Sequence, residues 1–206
     1  MTSELERLRQ IMVDLRDRCP WDAEQTHRSL LNHLVEETAE VVDAVEAGTD
    51  EDLREELGDL LLQVYFHARI AEQEGRFDLE DVARGISDKL VRRHPHVFGE
   101  EAVPADMWES WERRKREEKG RTSALEGIAE SLNVVPRIQK VISRSRSHGV
   151  SVGLPTAGIE AETLGEEIVA LIARAQASGV DADAAARQAL RRLEVSVRAA
   201  ESHASN

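Results

Sequence analysis

Apolar residues recur at helical steps along most of the chain. From Glu4 to Arg18, Leu5, Leu8, Met12 and Leu15 follow one another at three- and four-residue intervals, which places them on one face of a helix. That helix is expected to end at Cys19-Pro20, because a proline disfavours helical backbone in the residue before it. The stretch to Thr26 is predicted as a loop in which Asp22 or Thr26 caps the next helix. This second helix is predicted from about Ser29 to Ala47. Gly48-Thr49-Asp50 then supplies a stop and a candidate N-cap, and a third helix runs from Glu51 to about Glu74, before Gly75. Phe77-Asp78-Leu79 opens a fourth, which His94-Pro95-His96 breaks after Arg93. A loop with Gly99 and Pro104 leads to a strongly charged helix over Met107 to Lys119. No β-alternation of useful length occurs, so the fold class predicted is all-α, an up-and-down four-helix bundle joined by short connections.

Gly120-Arg121-Thr122-Ser123 is the best candidate boundary, dividing residues 1–119 from residues 120–206. The second part is Ala-rich and helical in pattern, with a looser section at 149–158 holding three glycines and one proline. It contains an echo of the first. Glu56-Leu57-Gly58-Asp59-Leu60-Leu61-Leu62 aligns with Thr163-Leu164-Gly165-Glu166-Glu167-Ile168-Val169, and Asp78 to Arg92 aligns loosely with Asp181 to Val195. The copy of the second helix is missing. Residues 120–206 therefore look like a degenerate, partial helical repeat, chance likeness between Ala-rich helices being the alternative. Thr163 and Glu166 replace Glu56 and Asp59, so no second active site is expected. Leu164, Ile168, Leu171, Ile172, Leu190 and Leu193 are expected to be buried, in a packing or oligomerisation role.

Composition narrows the function classes. With 206 residues and 41% hydrophobic content the chain can bury a core, and aromatics at 3% leave that core to Leu, Val, Ile and Ala. Forty acidic against 27 basic residues give a net charge of −13, which opposes non-specific attraction to nucleic acid or an anionic membrane. An anionic substrate would need a bridging cation. Cys19 is the single cysteine, and no apolar N-terminal stretch resembles a signal peptide or membrane span, so a reducing cytoplasm is the expected compartment.

The second helix carries Glu36, Glu37 and Glu40, and the third Glu56 and Asp59. Residues three apart neighbour each other on one helical face, so Glu37/Glu40 and Glu56/Asp59 form two carboxylate combs. Facing each other, they make an oxygen cage suited to a hard divalent cation that keeps waters for substrate phosphates. A solvated acidic face is the bland alternative. Against it, Glu56, Asp59, Gln63 and His67 form a narrow polar stripe walled by Leu53, Leu57, Leu60 and Val64 on one side and Leu62 and Phe66 on the other. Such a stripe calls for a metal site or a buried hydrogen-bonded network.

Glu36-Glu37-x-x-Glu40 followed sixteen residues later by Glu56-x-x-Asp59 resembles the metal-binding signature of the MazG family of nucleoside triphosphate pyrophosphohydrolases. The resemblance covers roughly residues 5–140. It includes Cys19-Pro20-Trp21-Asp22, Gln25-Thr26-His27, Gly75-Arg76-Phe77 and Lys89 through Arg92-Arg93-His94-Pro95-His96-Val97-Phe98. It implies Mg²⁺-dependent hydrolysis of NTPs or dNTPs to NMP and pyrophosphate, with Mn²⁺ as a substitute metal, in nucleotide-pool housecleaning. By resemblance Glu37, Glu40, Glu56 and Asp59 hold the metal, and Glu36 orients or deprotonates the attacking water. Lys89 and Arg93, four apart on one helix face, look like the family's triphosphate contacts. Trp111 and Lys115 resemble its Trp-x-x-x-Lys pair for base stacking and phosphate. Simple solubilising charge is the alternative for these basic residues. The family also implies a homodimer or a dimer of dimers, which fits apolar residues on more than one side of the second and third helices.

His27, His94 and His96 are too widely spaced to favour a zinc set over loop-anchoring histidines. His33 lies one turn before Glu37, near the phosphate side or simply at the surface. Two other function classes stay open: a nucleotide or metal sensor that binds without turnover, and a helical scaffold whose acids only solvate.

Overall fold

The computed structural model describes residues 3–204, the side chains of Trp108 and Ala204 apart. Helix α1 (Glu4–Arg18) starts where the Ser3 hydroxyl accepts the Glu6 N–H at 3.2 Å, and it carries Arg16 and Arg18 in its last turn, where cations offset the carbonyl end. Its end at extended Cys19 is as expected from Pro20. The loop predicted after it is instead partly helical, because Pro20 occupies the first position of a short helix, α2 (Pro20–Glu24), where its missing N–H costs nothing.

Helix α3 (Leu31–Ala47) stops at Gly48. A Cβ on Gly48 would sit 2.8 Å from the Ala44 backbone, so the chain can turn this tightly only without a side chain. Thr49 is the N-cap of α4 (Asp50–Gln73). Its hydroxyl accepts the Asp52 N–H at 3.2 Å while the Asp52 carboxylate accepts the Thr49 N–H at 2.8 Å, a reciprocal capping box. Asp78 and Asp81 repeat the device at the start of α5 (Leu79–Arg93), and Pro95–Phe98 forms the short α6. Beyond lie α7 (Met107–Lys119), α8 (Val134–Ser147), α9 (Ala161–Ala177) and α10 (Ala182–Ala204). No strand occurs among the described residues, and none of the described helices is long and apolar enough to cross a membrane.

Two compact units are present, Met1–His94 and Pro95–Asn206. This division precedes the 119/120 boundary read from sequence, since α7 packs against α8 and so belongs with the C-terminal helices. In the first unit α4 is the central element, packed against α1, α3 and α5 over a core of Met12, Leu30, Tyr65, Phe66 and Ile70. Val35, Val42 and Val45 on α3 and Leu57 and Val64 on α4 stay exposed. In the second unit Ala124, Val141, Leu190 and Val197 form the core, and α8 packs on α10. Burial of Leu190 is as expected. Leu164, Ile168, Leu171 and Ile172 depart from expectation: α9 has no buried residue, because the one described helix packed against it is α10.

Candidate metal centre

The close pairing of α3 with α4 brings the two carboxylate combs together. One oxygen each from Glu37, Glu56 and Asp59 lies within 4.8 Å of the others, and all three residues are half-buried. Glu40 does not join that set, but its charge bears on both Glu37 and Glu56. Glu36 is exposed on the same helix, its Oε2 3.8 Å from His33 Nδ1.

The electrostatics are those of crowded like charge. Burial, then Asp59, Glu40 and Glu36, push the Glu37 carboxyl above its ordinary value. Burial, then Glu40, Asp59, Glu55 and Asp52, do the same to Glu56. Groups held so resist full ionisation unless a cation offsets them. A set of hard oxygen donors at this spacing fits a hard divalent cation, which takes carboxylate ligands and retains water.

The polar stripe on α4 continues beyond the carboxylates. Gln63 is buried, and His67 stacks on His27 with ring centroids 5.0 Å apart and their Nδ1 atoms at 2.7 Å. Arg76 Nη2 donates to His27 Nε2, and an arginine can only donate. His27 therefore carries its proton on Nδ1 and donates to His67, leaving the His67 proton on Nε2. That N–H and the Gln63 Oε1 acceptor, on adjacent turns, are buried without a hydrogen-bond partner. His27 thus anchors its loop to α4, in keeping with the loop-anchoring alternative to a zinc set.

Burial, then His27, lower the His67 pKa. An unfolded histidine protonates near ~6.5, where the folded site still resists, so this stabilisation is present above that pH and is lost as pH falls toward the depressed folded value. Urea unfolding at pH 8 and pH 6 is expected to show a smaller acid-side loss in His67→Phe than in the parent. His148, depressed by burial and then Arg116, keeps its own share in both proteins. An unchanged acid-side loss would refute this reading.

The sequence-predicted cations divide between the units. Half-buried Lys89 and buried Arg93 lie on α5, which packs on α4. Trp111 and Lys115 are half-buried on α7, in the second unit. There the Lys115 ammonium donates to buried Glu112 at 2.7 Å, with Lys140 Nζ 4.0 Å from the same oxygen. Burial pushes Glu112 up, but Lys115, Lys140 and Arg144 together hold it below its ordinary value. Sequence reasoning missed this cluster. Its one visible sign is Arg144 placed between Val141 and Ser145 near the apolar face of α8, where it becomes almost wholly buried with Nε and Nη2 unpaired.

The description "MazG nucleotide pyrophosphohydrolase domain" belongs to a family model that matches residues 25–98. That range contains all five acidic candidates together with Lys89 and Arg93, but not Trp111 or Lys115. A "nucleoside triphosphate pyrophosphohydrolase" of Escherichia coli K12 is 42% identical over 187 residues, 87% of this chain and 70% of that one. The "uncharacterized 26.1 kDa protein in blaB 3′ region" of Streptomyces cacaoi is 43% identical over 197 residues, 93% of this chain and 80% of that one. A crystal structure of a MazG-related protein from Thermotoga maritima aligns with a TM-score of 0.47 at 31% identity, over 54% of this chain and 98% of that one.

Proposed function

The chain belongs to the MazG family of nucleotide pyrophosphohydrolases, and on that premise we propose that the α3–α4 carboxylates hold the Mg²⁺ with which it hydrolyses nucleoside triphosphates to monophosphate and pyrophosphate. The observation carrying this reading is the meeting of Glu37, Glu56 and Asp59 oxygens within 4.8 Å. Glu40, one turn along α3 from Glu37, completes the ligand set. Bound there, Mg²⁺ (or Mn²⁺ in its place) supplies positive charge to the phosphates and lowers the pKa of a coordinated water.

The reaction adds water across the α–β anhydride: an in-line water attacks, the bridging bond breaks, and pyrophosphate leaves. Glu36, exposed beside the cluster, orients that water or takes its proton. Lys89 and Arg93, one turn apart on α5, offset charge on the departing pyrophosphate. Trp111 is assigned to stacking on the base, a contact tolerant of base identity. Lys115, which donates to Glu112, is assigned to the phosphates.

The setting proposed is the cytoplasm, with clearance of unwanted nucleotides from the pool as the biological role. Exposed valines and leucines on α3 and α4 support a homo-oligomer, a dimer or a dimer of dimers. Residues 120–206 then serve packing or assembly as a degenerate repeat.

Phosphorus NMR of the reaction mixture tests the chemistry. The expected products are NMP and pyrophosphate with Mg²⁺ present and none in excess chelator. Orthophosphate and NDP would refute the assigned bond, and Mg²⁺-tightened nucleotide binding without turnover would mark a sensor instead.

A further inference from the structure

The second unit buries a positive charge that its surroundings do not balance. Arg144 of α8 is 2% exposed, and its Nε and Nη2 are without a hydrogen-bond partner. A guanidinium keeps its proton at any ordinary pH, so burying one unpaired is costly. Its neighbour adds to that cost. Burial, then the Arg121 charge, push the Arg144 guanidinium below its ordinary value, and Glu112 and Glu126 offset only part of the effect.

Packing holds the segment that brings Arg121 to this place. Ala124 is buried with Val141 in the core of the unit, and Val141 lies one turn before Arg144 on α8. Gly127 then seats Arg121: its φ of +68° turns the chain, and a Cβ there would stand 2.7 Å from Arg121 Nη2. Half-buried Arg121 makes no hydrogen bond or ion pair among the described residues. The nearby carboxylates are engaged elsewhere. Glu112 accepts from Lys115 at 2.7 Å, and Glu126 accepts the Thr122 hydroxyl at 2.8 Å. Glu201 accepts the Ser123 hydroxyl at 2.9 Å and the Ala124 N–H at 2.6 Å.

Two neighbouring guanidiniums with no carboxylate of their own suit an oxyanion, because each planar fork offers paired N–H donors to its oxygens. Their two charges, with Lys140 a further cation beside Glu112, call for more than a single carboxylate. We propose that Arg144 and Arg121 form an oxyanion site in the second unit that takes a phosphate or pyrophosphate group, free or carried by a nucleotide. Neither residue is among those assigned to hydrolysis, so this is a second phosphate-binding place and not part of the metal centre.

Calorimetric titration of the full chain in excess chelator tests it. The probes are inorganic phosphate, pyrophosphate and a nucleoside triphosphate analogue with a methylene in place of the α–β bridging oxygen. The parent is expected to bind at least one of them saturably, and Arg121→Met and Arg144→Met are each expected to weaken that binding by ~10-fold or more, the loss of charge-assisted hydrogen bonds. Arg121 has no bond to lose, so its variant is expected to fold even where Arg144→Met does not. A Lys89→Met/Arg93→Met variant is expected to keep the binding. Binding of phosphate or pyrophosphate identifies a free anion as the ligand, and binding of the analogue alone identifies the phosphates of a nucleotide; either supports the site when Arg121→Met weakens it. Binding of none of the three, or binding that Arg121→Met leaves unchanged, overturns the proposal. Mg²⁺-dependent pyrophosphate release, measured in parallel, reports on the metal centre independently.

Discussion

Asp59→Asn is expected to lower Mg²⁺-dependent pyrophosphate release by at least ~100-fold while leaving the protein folded, because it replaces an anionic oxygen with a neutral amide at nearly constant volume. Asp59 sits in the three-carboxylate set, and its charge raises the pKa of both Glu37 and Glu56. Removing that charge relieves repulsion, so the metal-free variant is expected to melt at a higher temperature than the metal-free parent. Glu40→Gln is expected to act in the same direction on turnover, since the Glu40 charge, like that of Asp59, raises the pKa of both Glu37 and Glu56. Near-normal activity in either variant, measured at saturating Mg²⁺, would remove the residue from the ligand set.

An isolated Ala124–Asn206 fragment is expected to release no pyrophosphate at any Mg²⁺ concentration. Thr163 and Glu166 of α9 align with Glu56 and Asp59 of α4, and α8, which precedes α9, carries no Asp or Glu to complete a cage. Among the described residues the one cluster of three or more possible ligands is that of Glu37, Glu56 and Asp59. A chain ending near Lys119 is expected to retain hydrolysis if soluble. Loss of α8 strips α7 of its packing partner and breaks the Lys140 contact to Glu112, so a raised KM is expected if Trp111 and Lys115 serve the substrate. Metal-dependent hydrolysis by the isolated fragment would overturn the reading of the repeat.

The helices were legible because their boundaries rest on local chemistry. Ser3, Thr49 and Asp78 accept N–H groups three residues on, and Pro20 and Gly48 interrupt the backbone where the sequence says they must. The carboxylate combs were legible for the same reason, an i, i+3 spacing on each of two helices joined by a short turn. What escaped depends on contacts between distant residues. Nothing local distinguishes Glu112, which is buried against Lys115, from the exposed acids of α7, nor shows that His27 would stack on His67 forty residues away. Exposure of Leu164 and Leu171 escaped too, since helical periodicity names an apolar face without saying what covers it.

The most direct test of the metal centre is a Mn²⁺ titration followed by paramagnetic resonance, run on the parent chain and on Asp59→Asn with turnover measured in the same samples. The account predicts that turnover in the parent rises in step with bound Mn²⁺ and that Asp59→Asn loses binding and turnover together. Tight Mn²⁺ binding retained by Asp59→Asn, or hydrolysis by the parent that saturates before metal is bound, would contradict it.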